Sequence, residues 1–108
     1  VTIILYTYPG MLASSKRADY RRLVKNMTDV LMRFLVDNEL LRESPYNHDG
    51  SLSETFQVTT DNLTDDGIRL FKEHFPRWSN RVDRGGDPED IRLLVAGLAK
   101  IRSAPSAE

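Results

Sequence analysis

From Leu23 onward, apolar side chains return every three or four residues, at Leu23, Val24, Met27, Val30, Leu31, Phe34 and Leu35. Only an α-helix gathers such positions onto one face, and a stripe that wide must be buried against another element. The spacing predicts a helix over about 16–37, with Ser14 or Ser15 as its N-cap and Arg21, Arg22, Lys25, Asp29 and Arg33 on the wet side. Asp37-Asn38 is expected to end or bend this helix, and Leu40-Leu41 to fold back onto the core before Ser44-Pro45 breaks the chain.

A helix of this kind needs partners, and the remaining patterns supply them. The β-branched and aromatic run closing at Pro9-Gly10 reads as a strand over about 2–8, apolar enough to be buried. Residues 55–60 alternate at period two and read as a second strand, paired with 2–8 or in a hairpin with 40–43. Thr64 followed by Asp65-Asp66 marks a helix start, with Leu63 placed to staple onto Ile68. Ile68, Phe71, Phe75, Trp78 and Val82 then form one seam of a helix over about 64–84, for core packing or for a helix–helix dimer. Pro76 interrupts this seam and predicts a kink, or a break into two helices near Glu73 to Phe75. Gly85-Gly86 stops it, and Asp87 as N-cap, Pro88 at the first helical position and Glu89-Asp90 behind it open a last helix over about 88–102, buried through Ile91, Leu94, Val95, Leu98 and Ile101. The expectation is a helix-dominated α+β fold: three main helices, a small sheet of two or three strands, and a frayed tail over 103–108.

At 108 residues, with 40% hydrophobic and 29% charged side chains, this pattern fits one domain over 1–108 with one core. There is no cysteine, which excludes disulfides, thiolate catalysis and cysteine-ligated metals together and points to a reducing compartment. The longest apolar run, residues 1–8, falls far below the ~20 residues of a membrane span. A cytoplasmic protein without membrane attachment is the expectation.

Chemistry is sparse. His48 and His74 stand far apart with no metal-ligand spacing between them. Beside Glu73, His74 has the residue type of a general base or pH switch, yet no nucleophile motif accompanies it, and a helix-surface histidine is the plainer reading. Asp65/Asp66 and Glu89/Asp90 stand where helix capping accounts for them. Gly85-Gly86 lacks the strand and lysine of a phosphate loop. Accordingly no catalytic residue, cofactor or metal is expected, and the chain reads as a non-enzyme.

Charge is distributed in blocks. Residues 1–36 hold six Lys/Arg against two Asp, residues 37–66 hold eight Asp/Glu against Arg42 alone, and residues 67–102 hold eight bases against five acids. A polarised surface of this kind steers charged partners. The acidic block surrounds a loop with Tyr46, and an aromatic anchor among carboxylates suits a protein that competes with nucleic acid for a basic surface.

Two family resemblances bear on function. Phe34 to Leu41, and Val58 through Leu63-Thr64-Asp65-Asp66-Gly67-Ile68-Arg69-Leu70-Phe71, resemble the second half of a bacterial winged-helix regulator. That resemblance implies a recognition helix at Tyr20 to Asp37, a wing tip at Asp49-Gly50 and a dimer helix at Phe71 to Val82. Phosphate contacts would then come from Arg17, Arg21, Arg22 and Lys25. The second resemblance rests on Arg77-Trp78 running into Asp83-Arg84-Gly85-Gly86-Asp87-Pro88 and a short leucine-rich terminal helix. In these features the chain is similar to small bacterial immunity proteins that guard against contact-dependent growth-inhibition toxins. It implies a one-to-one inhibitor that occludes a cognate toxin domain, often a nuclease, and here Asp37, Glu39, Glu43, Tyr46, Asp49 and Glu54 would be the partner contacts. Monomer and homodimer both remain open.

Overall fold

The computed structural model describes residues 2–14 and 20–103. The elements run β1 (Ile4–Thr7), α1 (Tyr8–Ser14), α2 (Tyr20–Asp37), β2 (Gln57–Thr59), α3 (Asp65–Glu73), α4 (Phe75–Asp83) and α5 (Arg92–Ser103). The fold is α+β, dominated by helices around a two-stranded antiparallel sheet. One buried cluster joins them, from Tyr6 on β1 through Leu31 and Leu35 on α2, Val58 on β2, Leu70 on α3 and Trp78 on α4 to Leu94 on α5.

The stripe that anchors the sequence reading is buried as expected on α2, with Val24, Met27, Leu31 and Leu35 all at 1% exposure or less and Val30 alone half-exposed. The upstream limit of that helix, and Ser15 with it, lies outside the described residues. Ser14 is the last residue of α1.

Helix α1 corrects the reading of Pro9-Gly10 as a turn closing the first strand. Thr7 Oγ1 accepts the backbone N–H of Gly10 at 3.0 Å, the bond an N-cap makes to the third helical residue. Pro9 sits in the first turn, where its missing donor costs nothing. The strand therefore stops at Thr7 and a seven-residue helix follows.

The sheet resolves the choice of pairing. β1 pairs with β2, matching Ile4 with Thr59, Tyr6 with Val58 and Thr7 with Gln57, and the register shifts between Ile4 and Tyr6. That irregularity alters which side chains face inward. Tyr6 is buried, but Ile3 and Ile4 are each 55% exposed, against the expectation of a fully buried strand. Isolated bridges Leu41–Leu63 and Tyr46–Leu52 fold the segment between α2 and α3 into a hairpin-like arm. Asn62 ties its base together. Its Oδ1 accepts from Thr59 N at 2.8 Å, and its Nδ2 donates to Gln57 O at 2.7 Å and to Glu43 Oε1 at 3.1 Å.

Thr64 caps α3 as predicted, its side chain accepting from Gly67 N, with Asp65 and Asp66 in the first turn. The long seam breaks into two helices at His74, which ends α3 and precedes α4, and Pro76 falls in the first turn of α4. The last helix starts later than expected. Asp87 to Asp90 close a turn through Asp90 N to Asp87 O at 3.0 Å, with Pro88 at its second position. Asp90 then takes the capping role assigned to Asp87, its Oδ1 accepting Arg92 N at 3.2 Å. Of the predicted stripe on α5, Leu94, Leu98 and Ile101 are buried, while Val95 is 50% exposed.

At the junction of α3 and α4, His74 packs inward and is no free surface side chain. A Cβ added to Gly97 of α5 would overlap its Cβ, Cγ and Cδ2. Alanine favours a helix interior over glycine by about 1 kcal/mol. Gly97→Ala is nonetheless expected to destabilise the protein by about 1–3 kcal/mol in urea denaturation, because overpacking outweighs propensity. In a His74→Ala background, which removes Cγ and Cδ2 but keeps the Cβ, the same change should cost less. A stabilising Gly97→Ala in the wild-type chain would show that α5 and His74 are not in this contact.

Candidate functional site

The end of α2 helps to shape a concavity. Leu40 N bonds Leu35 O at 2.9 Å and Glu39 N bonds Val36 O at 3.1 Å, the paired bonds of a Schellman close. Glu39 occupies its left-handed position, at φ 57°, where glycine is the usual residue. Leu40 is thereby turned into the core, and Asn38 Nδ2 caps Phe34 O at 2.8 Å. In the last turn of α5, Arg102 donates through Nη2 to Asn38 O and lies 3.5 Å from Asp66 Oδ2 on α3. These bonds tie the end of α5 to the exit of α2.

Between α2 and α5 lies a groove of about 720 Å³. Val30 and Phe34 from α2 and Val95 and Leu98 from α5 give it apolar walls, and Asp29, Arg33, Asp37 and Glu89 also line it. A smaller hollow of about 330 Å³ is lined by Arg33, Val36, Asp37, Tyr46 and Gly50. Arg33 and Asp37 belong to both. The two concavities thus share a charged ridge at the end of α2.

Of the six partner contacts read from the sequence, Asp37 and Tyr46 come together in the smaller hollow. Asp49 stands beside Gly50 at the tip of the arm; its carboxylate accepts Ser51 Oγ at 2.6 Å and Ser51 N at 3.0 Å, bonds that hold it below the usual aspartate range. Glu39 is exposed at the left-handed corner. Glu43 is exposed but engaged by Asn62, and Glu54 lies in an exposed turn; neither lines the groove or the hollow.

The basic set is arranged differently. Arg17 lies outside the described residues. Arg21, Arg22 and Lys25 are exposed along the first half of α2, and Lys25 is paired with Asp29 at 3.2 Å.

Sequence reasoning missed the apolar walls of the groove. Val30, Phe34, Val95 and Leu98 were assigned wholly to the core, and the available signal was the breadth of the two stripes. Val30 lies between the buried positions and the wet face of α2, and Val95 widens the α5 stripe beyond what neighbouring helices cover. Among the described residues no group of three or more His, Cys, Asp or Glu is placed to hold a metal ion, and no helix is long and apolar enough to cross a membrane. Comparison with protein-family models, curated proteins and solved structures gave no significant match.

Proposed function

We propose that the chain is a protein-binding module of the immunity type, a cytoplasmic bacterial inhibitor that covers a cognate toxin domain and works by occlusion without chemistry of its own. One observation carries the reading: Asp37 stands on the ridge between an apolar-walled groove and the hollow that holds Tyr46. An apolar surface open at Val95 and in part at Val30, an aromatic residue and a charged rim are what a partner's hot spot needs. The carboxylates of Asp37, Glu39, Asp49 and Glu89 would complement a basic nuclease surface and speed its capture.

A second reading, the winged-helix DNA binder, draws on chain order. α1 packs on α2, and the arm that follows returns through β2 to pair with β1. The resemblance puts a recognition helix on α2 and a wing tip on this arm, with Arg21, Arg22 and Lys25 near the start of α2. Two features weigh against it: Asp49 stands at the arm's tip, where a wing meets phosphate, and Asp29 neutralises Lys25.

One experiment separates the two. The tagged protein is recovered from its native cell, the bound macromolecule identified, and binding rebuilt from pure components. A toxic polypeptide is expected, with Asp37→Lys/Tyr46→Ala weakening its affinity by about 100-fold, roughly 3 kcal/mol, while the melting temperature stays near that of the parent. An affinity within threefold of the parent would remove this surface from the interface. Duplex DNA held with a steep salt dependence, and released by Arg21→Ala/Arg22→Ala, would instead establish the second reading.

A further inference from the structure

A third concavity shares no lining residue with the groove or its hollow. Arg77, Arg81 and Arg84 of the α4 region line a shallow hollow of about 660 Å³ together with Asn80, Gly86 and Leu93. Their spacing of four and three residues places them on one helix face, where like charges oppose one another. Among the described residues only Arg81 of the three forms an ion pair, with Asp90 Oδ2 at 3.4 Å. That carboxylate is already held by both Nε and Nη2 of Arg92, at 2.9 and 2.7 Å. The Arg77 and Arg84 side chains have no ion pair or hydrogen bond among the described residues.

The helix dipole does not account for this row. It favours cations at the C-terminal end of α4, near Arg81 and Arg84, but Arg77 lies in the first turn, where it favours anions. Two glycines close the helix beside the hollow. Gly85 takes φ 104°, Gly85 N bonds Val82 O at 3.0 Å and Gly86 N bonds Arg81 O at 2.9 Å. A Cβ at Gly86 would fall 2.7 Å from Arg81 O, so a side chain there is excluded unless the backbone shifts.

We propose that this arginine-lined hollow binds a phosphate-type dianion. The lining holds three guanidinium groups and no carboxylate, with Asp90 at its edge shared between Arg81 and Arg92, so positive charge is in excess there. A phosphate group at neutral pH carries close to two negative charges and offers three acceptor oxygens. Planar guanidinium forks pair with such oxygens two at a time. A monocarboxylate would leave the excess uncancelled.

The test is a titration of the full chain with inorganic phosphate, followed by backbone amide NMR and thermal melting, against sodium chloride at matched ionic strength. Phosphate is expected to shift the Gly85 and Gly86 amides saturably and to raise the melting temperature, where chloride does neither. Arg77→Gln/Arg84→Gln should weaken phosphate at least tenfold. In phosphate-free buffer the same variant should melt no lower than the parent, since the repulsion is relieved. Sulfate, a dianion at every working pH, should behave like phosphate. Phosphoserine displacing phosphate from the same amides with higher affinity would identify the source as a modified side chain; lower affinity would identify the free ion. Phosphate acting no better than chloride, an undiminished response in the variant, or a variant destabilised without phosphate would each overturn the site.

Discussion

Trp78→Ala is expected to cost about 3–5 kcal/mol, the range for deleting a fully buried aromatic side chain. Trp78 is 0% exposed, and its loss removes three things together. The first is the ring volume at the centre of the cluster. The second is an aromatic chain: Trp78 lies 5.9 Å from Phe75, which stacks on Phe71 at 4.7 Å and meets Tyr6 edge-on at 5.8 Å, linking α3 and α4 to β1. The third is the bond from Trp78 Nε1 to Asp90 O at 3.0 Å, which holds the turn ahead of α5. A small domain has only about 5–15 kcal/mol of net stability, so the variant should melt some tens of degrees lower or fail to fold. Trp78 is the chain's single tryptophan, so the comparison is made by circular dichroism in urea, not by fluorescence. Trp78→Phe, which keeps most of the packing but not the donor, should lose clearly less. A loss below about 1.5 kcal/mol for Trp78→Ala would contradict the core position, since surface changes stay near ±0.5 kcal/mol. A dimer seam for Trp78, open on sequence grounds, is at odds with its complete burial inside one chain.

The same residues show what was legible beforehand. Period 3.6 in α2 and the Thr64 cap rest on chemistry within a few residues, and both appear in place. Pro76 was legible for the same reason, because a proline's lost donor acts within one turn, and the break falls at His74. Local signals failed where two local solutions compete. Pro9-Gly10 is equally a turn and the first turn of a helix, and what decides is whether Thr7 Oγ1 reaches the Gly10 amide. Asp87 and Asp90 are both capping residues, and the turn closed by Asp87 passes the helix start to Asp90. Failures of burial have another origin. Ile4 and Val95 sit at apolar positions in correct patterns, but a pattern names a face and not what covers it. The candidate site inherits that limit. Asp37 and Tyr46 are brought together because the Schellman close at Glu39 turns the chain back on itself, whereas Glu43 is drawn off by Asn62 across the base of the arm. Neither arrangement follows from the clustering of acids in the sequence.

The fold is also expected to weaken in a defined alkaline window, through Tyr6. Its side chain is 3% exposed, and burial pushes its phenol from 10.0 up to about 12; the hydrogen bond with Thr28 Oγ1 at 2.6 Å works in the opposite direction, and Tyr8 and Asp29 add smaller upward contributions. The sign follows from proton counting. Below pH 10 both folded and unfolded chains hold this proton, so the contribution of Tyr6 is fully present. Between pH 10 and 12 the unfolded chain releases it first, and stability falls as pH rises, by about 2–3 kcal/mol over the window. Lysines and other tyrosines titrate in the same range, so the measured quantity is the difference between the parent and Tyr6→Phe/Thr28→Val. That double variant removes both hydroxyls and leaves neither buried alone, so it should lie within about 1.5 kcal/mol of the parent at pH 8. Either single variant strands one hydroxyl and should lose about 1–3 kcal/mol at the same pH. With urea midpoints taken from pH 8 to 11.5, the parent should lose ground to the double variant once pH 10 is passed. A difference that stays flat throughout would mean that the Tyr6 phenol ionises as readily in the folded chain as in the unfolded one, which its burial against Thr28 does not permit.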